Sequence, residues 1–135
     1  MTELMPNTSS QLDAVLSSPS DVQDARLWTA IRAAQEKKAF DIVILGISQV
    51  TSFADYFLLC SGSSTRQTEA FASEIEKKLG EQGTYTNHKE GAGEWILFDY
   101  GDIIIHVFTK ETRAFYDLER LWRDGRRINI PNESE

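Results

Sequence analysis

The sequence is short of cysteine, of basic residues and of long apolar runs. Its single cysteine, Cys60, excludes an internal disulfide and favours a reducing compartment. The 14 Lys and Arg residues stand against 21 Asp and Glu, and the net charge of −7 argues against broad binding to a nucleic-acid backbone. No apolar run approaches the roughly 18 residues that a membrane-spanning helix needs. We therefore expect a cytosolic protein, and the acidic surface is compatible with a basic protein partner.

The length of 135 residues, 41% of them hydrophobic, suits one domain with one core. Residues 1–20 are rich in Ser, Thr and Asn, and we interpret them as a flexible extension, although an ordered arm is the alternative. This extension has no Arg and no long apolar run, so we expect neither a signal peptide nor a typical transit peptide. We assign residues 21–125 to a single α/β domain and residues 126–135 to a polar tail that frays.

The segment from Glu94 to Phe108 predicts a β-hairpin, because two apolar runs meet at Tyr100-Gly101-Asp102. The turn residues are either Gly101-Asp102 or Tyr100-Gly101, and both registers divide the side chains in the same way. One predicted face is almost wholly apolar and should lie on the core: Ile96, Phe98, Tyr100, Ile103, Ile105 and Val107. The other face is mixed: Trp95, Leu97, Asp99, Ile104, His106 and Phe108. We expect this second face to pack under a helix or to meet a partner.

Apolar periodicity and capping residues predict the remaining elements. The first half of the chain holds a helix opened by Ser20–Gln23 and ended at Glu36–Lys38, a strand at Asp41–Ile47 that should be buried on both faces, a second strand at Ala54–Ser61, and a helix capped by Ser64. A short edge strand at Tyr85–Lys89, a flexible lead-in at Glu90–Gly93, the hairpin and a last helix at Lys110–Asp124 follow. The short connections favour a mixed sheet with helices packed on it.

The loop from Ser61 to Thr65 joins a strand to a helix, a position where free backbone N–H groups can bind an anion. Similar Gly-Ser turns occur in nucleotidyltransferases, which also need carboxylates converging on Mg²⁺. The nearest candidates are Asp55, Asp99 and Asp102, and no strand presents a paired Asp-x-Asp or Asp-x-Glu. The pattern favours a capped helix start over a metal site.

Two histidines without a Cys or Asp at ligand spacing do not indicate a zinc site. His88 lies in a polar segment, whereas His106 lies within a strand. We interpret His106 as a strand histidine whose hydrogen bonds are satisfied, in preference to a catalytic base. Cys60 is interpreted as a small buried hydrophobic residue. A basic cluster follows near the end of the last predicted helix: Arg120, Arg123, Arg126 and Arg127. It complements the helix dipole or contacts a phosphate backbone.

Four aromatic residues concentrate in the last third of the chain, namely Trp95, Tyr100, Tyr116 and Trp122. Trp and Tyr dominate binding hot spots because they bury a large area at a small cost in conformational entropy. Trp122 lies on the apolar stripe of its predicted helix and is assigned to the core. Trp95 and Tyr116 are the better candidates for a surface role.

Several linked motifs between about Trp28 and Trp122 resemble those of the ribosomal silencing factors, also called Iojap-like proteins. The motifs that carry the resemblance are Asp41-Ile42-Val43, Ala54-Asp55-Tyr56-Phe57, Gly62-Ser63-Ser64-Thr65-Arg66, Gly93-Glu94-Trp95-Ile96, Asp99-Tyr100-Gly101-Asp102, His106-Val107-Phe108 and Tyr116-Asp117-Leu118-Glu119-Arg120-Leu121-Trp122. Their order along the chain makes the resemblance specific, and it does not extend to the first 20 residues.

The resemblance implies an α/β fold related to nucleotidyltransferases but without their catalytic carboxylates. It implies no enzymatic activity and no cofactor, but binding to the large ribosomal subunit through ribosomal protein fourteen of that subunit. A family member bound there blocks joining of the small subunit and represses translation when nutrients are scarce. The implied partner-binding residues are Trp95, Asp99, Tyr100 and Tyr116. Free members are often homodimers, and a peripheral contact with ribosomal RNA stays open, as do two alternatives: a Mg²⁺-dependent nucleotidyltransferase and a dimeric module with another partner.

Overall fold

The computed structural model describes residues 24–117, 120 and 126–130. Its elements, in chain order, are α1 (Ala25–Glu36), β1 (Phe40–Gly46), β2 (Tyr56–Gly62), α2 (Thr65–Glu81), β3 (His88–Ala92), β4 (Trp95–Asp99), β5 (Ile103–Thr109), α3 (Lys110–Tyr116) and β6 (Arg126–Ile130). None of the helices in this described part has the length and apolar character that crossing a membrane requires.

The six strands form one mixed sheet in the order β3-β4-β5-β2-β1-β6. Strands β2 and β5 run parallel, and every other neighbouring pair is antiparallel. The parallel pair is joined by a crossover that contains α2, which a parallel connection requires. The predicted mixed α/β architecture is therefore confirmed.

One face of the sheet is covered by α1 and α2, and we call it the helix-covered face. Phe71, Ile75 and Leu79 of α2 are buried against it, as their four-residue spacing predicts. Leu27 and Ile31 supply the corresponding contacts from α1. Each of these side chains stabilises the fold by about 1.5–3 kcal/mol through burial.

The opposite face carries a second buried cluster, and we call it the Trp95 face. Its buried members are Val43, Leu45, Ile47, Ala54, Phe57, Leu59, Ile104 and Phe108, with Trp95 and Leu97 partly buried beside them. Burial on both faces explains the near-continuous apolar sequence of β1, as predicted, and β2 is buried in the same way.

The hairpin of β4 and β5 has the predicted alternation. Trp95 pairs with Phe108 and Asp99 with Ile104, so both predicted faces are confirmed. The Tyr100 N–H donates to the Ile103 carbonyl at 2.9 Å, which makes Gly101 and Asp102 the turn residues. Gly101 has φ +94°, and glycine adopts this angle without the steric strain that a side chain would add. The Gly101-Asp102 register is thus the correct one.

The first helix begins later than predicted. Asp24 caps α1 by accepting from the Arg26 backbone N–H at 2.9 Å, whereas Ser20–Gln23 lie outside the described residues. The Arg26 guanidinium forms an ion pair with the same carboxylate at 2.7 Å and a second ion pair with Asp102 at 2.9 Å. A carboxylate that satisfies both the helix end and this cation decides where the helix starts.

The edges of the sheet also differ from the prediction. The edge strand β3 begins at His88 instead of Tyr85 and takes in Glu90–Ala92, most of the predicted flexible lead-in.

Helix α3 ends at Tyr116, because Asp117 adopts a left-handed conformation with φ 48°. Leu118 and Trp122 of the predicted longer helix lie outside the described residues.

The predicted polar tail begins instead with a strand. Residues Arg126–Ile130 form β6, which pairs antiparallel with β1. Ile128 and Ile130 alternate into the helix-covered face and are buried there. Their apolar side chains contribute to the core, so a frayed tail from residue 126 is wrong.

Candidate functional site

An aromatic pair stands at one end of the Trp95 face. Trp95 begins β4 and is partly buried, while Tyr116 ends α3 and keeps 52% of its surface exposed. Their ring centroids lie 5.0 Å apart at an interplanar angle of 50°. The structure thus brings together the two aromatic residues for which the sequence predicts a surface role.

Two grooves flank this pair. The first, of about 430 Å³, is largely apolar and is lined by Glu90, Gly91, Trp95 and Leu97. The second, of about 620 Å³, is lined by Ser63, Ser64, Thr65, Glu94, Thr109, Glu111, Thr112, Phe115 and Tyr116. Phe115 is 80% exposed at its rim. We call Trp95, Leu97, Phe115 and Tyr116 together the docking surface.

The backbone that leads into Trp95 is held firmly. Gly93, the first residue of the β3–β4 turn, donates its N–H to the Glu69 carboxylate at 2.8 Å and accepts from the Thr68 hydroxyl. The Thr109 N–H donates to the Glu94 carbonyl at 3.0 Å. Helix α2 and strand β5 therefore both fix the start of β4.

His106 lies directly behind Trp95 on the same face. The indole N–H of Trp95 donates to His106 Nδ1 at 3.1 Å. Only 4% of His106 is exposed, and this burial lowers the pKa of its imidazole to about 4. The ring is therefore neutral near pH 7, which lets Nδ1 accept the bond. The prediction that the ring of His106 is hydrogen-bonded within the sheet is correct for Nδ1. Its Nε2 atom is buried without a hydrogen-bond partner among the described residues.

Arg113 anchors the short helix that presents Tyr116. Its Nη1 atom donates to the Asp41 carbonyl at 2.5 Å and to the Ser61 hydroxyl at 2.7 Å. Asp41 has φ 50°, within an irregularity of β1 where its pairing with β2 shifts register. A buried guanidinium needs such hydrogen bonds, and they tie α3 to two strands.

The other two predicted contact residues occupy different places. Asp99 shares the Trp95 face but lies about 13 Å along β4 from Trp95, and its carboxylate accepts from the Gly101 N–H at 2.8 Å. Tyr100 lies on the helix-covered face with 7% of its surface exposed. Burial, with a smaller contribution from Glu76, raises the pKa of its phenol to about 12. The structure therefore does not bring Tyr100 into the docking surface.

The residues considered for a magnesium site lie at opposite ends of the sheet. Asp55 and Asp102 precede the parallel strands β2 and β5, whereas the Ser63-Ser64 loop follows β2, about 20 Å further along. Asp102 binds Arg26, which lowers the pKa of this carboxyl. Ser64 caps α2 through a 3.3 Å bond from the Gln67 N–H. Within the described ranges, no group of three His, Cys, Asp or Glu residues is placed to hold a metal ion.

The remaining candidates have structural surroundings. His88 is exposed on β3 and lies 2.8 Å from Glu90. Cys60 is fully buried, as predicted, and burial raises the pKa of its thiol to about 12. In the arginine cluster, Arg120 and Arg127 are exposed, whereas Arg123 lies outside the described residues.

Sequence reasoning missed two residues that build this site. Nothing in the local pattern marks Arg113, because its partners Asp41 and Ser61 are 72 and 52 positions away. The sequence did contain a sign of the role of His106, since both ring nitrogens of a histidine within an apolar strand need hydrogen-bond partners. Its assignment to Trp95 follows once the hairpin register is fixed, because the two residues share a face on adjacent strands.

Comparison with known proteins decides the family. Residues 19–135 match the family model described as "Ribosomal silencing factor during starvation". The chain belongs to the RsfS family. Ribosomal silencing factor RsfS of Bacillus subtilis is 41% identical over 105 residues, which cover 76% of this chain and 89% of that protein. The corresponding protein of Halalkalibacterium halodurans is 40% identical over 106 residues, covering 77% and 91%.

A solved structure supports the fold assignment. The crystal structure of a Chromobacterium violaceum protein superimposes with a TM-score of 0.71 at 35% identity, covering 76% of this chain and 88% of that one. The mixed α/β fold and the resemblance inferred from the motifs are thus confirmed for this RsfS-family chain. Both relatives are named as ribosomal silencing factors, which is the name of a regulatory role.

Proposed function

We propose that this RsfS-family protein represses translation by binding the large ribosomal subunit through ribosomal protein fourteen of that subunit and blocking the small subunit from joining. The observation that carries the proposal is the Trp95–Tyr116 pair, held on the face of the sheet opposite α1 and α2 in a chain of this family. The protein acts in the cytoplasm and without chemistry of its own.

The docking surface has the composition of a binding hot spot. Trp95 and Tyr116 are rigid aromatic side chains, and Phe115 and Leu97 extend the apolar area on either side of them. The partly buried indole supplies a fixed centre, while the exposed rings of α3 supply new area to bury. Such aromatic anchors carry most of the binding energy in protein interfaces.

The charge of the site favours a basic partner. Glu94 and Glu111 line the groove beside Tyr116, and neither carboxylate forms an ion pair with a described residue. The whole chain carries −7. Ribosomal proteins are basic because they bind RNA, so complementary charge would speed the encounter and orient the two surfaces.

Asp99 and Tyr100 complete the proposed partner-binding set with smaller contributions. Asp99 lies at the far end of the same face and extends the acidic surface. Tyr100 is buried, so it supports the hairpin turn from the core and offers a partner little area. Steric exclusion then needs only that the bound domain occupy part of the surface on which the subunits join.

Co-sedimentation with purified large ribosomal subunits tests the proposal. Trp95→Ala and Tyr116→Ala should each weaken binding by roughly thirtyfold, the effect of losing a hot-spot residue of about 2 kcal/mol. Tyr85→Ala is the matched control, because Tyr85 is a tyrosine 74% exposed in the connection between α2 and β3, beside Gly80 of α2. Adding small subunits measures whether the wild type lowers the yield of complete ribosomes.

Three results would contradict different parts of the proposal. A wild-type protein that stays in the supernatant would exclude ribosome binding. A wild type that sediments, together with both alanine variants at unchanged affinity, would move the contact away from the docking surface. Binding without any effect on ribosome assembly would exclude the steric mechanism.

A further inference from the structure

His106 is a polar residue in an aromatic environment. Its ring lies 4.8 Å from the Phe57 ring, 5.7 Å from Phe108 and 6.0 Å from Trp95, measured between centroids. The planes of His106 and Phe108 are within 7° of parallel. A nonpolar residue would fill this place without burying a polar Nε2, so packing alone does not explain a histidine.

The hydrogen bond to Trp95 fixes the chemical state of this histidine. An indole N–H is only a donor, so the Nδ1 atom 3.1 Å away must be the acceptor. Nδ1 therefore carries no proton, and the single proton of the neutral ring is on Nε2. The flat stack on Phe108 holds the imidazole plane and thereby the direction in which Nδ1 points.

This arrangement restrains the side chain at the centre of the docking surface. The Trp95 indole is held along its N–H edge by His106, while its ring contacts Phe108 at 5.3 Å and Tyr116 at 5.0 Å. Without an acceptor behind it, a partly exposed indole would sample other rotamers. A partner would then have to immobilise it, and ordering a side chain weakens binding.

We propose that His106 is a positioning residue, whose Nδ1 atom locks the Trp95 indole in the orientation that a partner protein binds. The role rests on the proposed function, since it presupposes that Trp95 contacts the partner. It assigns His106 no contact with the partner, because the histidine lies behind the indole and is buried.

A matched pair of variants separates positioning from packing. Asn and Leu have nearly the same shape, but His106→Asn keeps an acceptor at the position of Nδ1, whereas His106→Leu removes it. The Leu side chain has no polar group to bury, and the indole N–H that loses its acceptor belongs to a partly exposed residue, so this variant should have the higher urea midpoint of the two. Its affinity for purified large ribosomal subunits should nevertheless fall by roughly threefold to tenfold, the effect of one lost hydrogen bond.

The Asn variant should bind within about twofold of the wild type despite its lower stability. A merely structural role predicts the reverse order, with the more stable Leu variant binding better. In a Trp95→Phe background, which lacks the indole donor, His106→Leu should have no further effect on affinity. The proposal would be overturned if the affinities of the variants rank in the same order as their urea midpoints, both with Trp95 present and in the Trp95→Phe background.

A measurement on the wild-type protein keeps the proposal testable if a variant does not fold. Long-range ¹H–¹⁵N correlation spectra identify which imidazole nitrogen is protonated, and Trp95→Phe assigns the indole signal. A proton on Nδ1 would overturn the inference. If Trp95→Ala binds normally the proposed function's site fails, whereas if Trp95→Ala is impaired and His106→Leu is not, only the positioning role fails.

Discussion

The buried histidine makes the stability of this domain depend on pH in a window above that of its carboxylates. Burial lowers the pKa of His106 from 6.5 to about 4, so the unfolded chain binds a proton that the folded chain excludes between these values. The unfolded state gains protons as the pH falls, and the free energy of unfolding decreases. Above the ordinary pKa, neither state is protonated and the stability is fully present.

The magnitude follows from the two pKa values. Each pKa unit corresponds to about 1.4 kcal/mol, so the full loss below pH 4 is about 3 kcal/mol. Between pH 7 and pH 5 the same linkage gives a loss of about 2 kcal/mol. With a slope of roughly 1–3 kcal/mol per molar urea for a small domain, the midpoint should fall by about 0.7–2 M.

Urea unfolding followed by circular dichroism at pH 7, 6 and 5 measures this loss. His106→Leu cannot titrate at this position and should lose little stability over the same range. His88→Asn is the matched control, because it removes the exposed histidine of β3 and keeps the buried His106, so the loss caused by His106 should remain. Comparing variants cancels the change in net charge. An equal fall in the wild type and in His106→Leu would refute the reasoning.

Four further predictions concern the frame around the site. Gly91→Ala should lower the free energy of unfolding by about 1–3 kcal/mol, since Gly91 has φ +83° and a Cβ would overlap the Trp95 carbonyl. Ala92→Ser, at the next position, is the control and should leave this free energy nearly unchanged. Arg113→Met should lower the free energy of unfolding in urea by about 1–3 kcal/mol, because it leaves the buried acceptors of Asp41 and Ser61 unpaired. An unchanged urea midpoint would mean that other contacts hold α3. Asp102→Asn should cost under about 1 kcal/mol at pH 7, because this ion pair with Arg26 is partly exposed. That cost should shrink as the pH falls through the lowered pKa of Asp102, and a cost that does not change with pH in acid would exclude the ion pair as its cause. Cys60 should react with a thiol reagent only in urea, since burial raises its pKa to about 12; fast labelling of the native protein would contradict this.

Local periodicity was sufficient for the elements that pack on the sheet. The two faces of the β4–β5 hairpin follow from parity alone, because side chains alternate along a strand whatever the neighbouring strands are. The four-residue spacing of Phe71, Ile75 and Leu79 likewise predicts the buried face of α2. The prediction for residues 126–130 was wrong although Ile128 and Ile130 alternate, because two apolar residues among charges are also typical of a tail.

The choice among elements, in contrast, was made by contacts between distant parts of the chain. Asp24 and not Ser20 caps α1 in the structure, where Arg26 also joins that carboxylate to Asp102 in the hairpin turn. Helix α3 is likewise held from a distance, because the Arg113 guanidinium donates to the Asp41 carbonyl and the Ser61 hydroxyl. Local propensity cannot contain such effects, since they depend on partners brought together by folding.

By itself, the sequence determined the family, the mixed sheet and the face of the hairpin that carries Trp95, since motifs and alternation are local properties. That the two longer helices leave this face uncovered was decided by the tertiary structure. Only the tertiary structure decided that Tyr116 joins Trp95, that His106 holds the indole and that Tyr100 belongs to the core. Hydrogen bonds and ring contacts between separate strands and helices depend on register and on the path of the chain, which no single stretch of residues specifies.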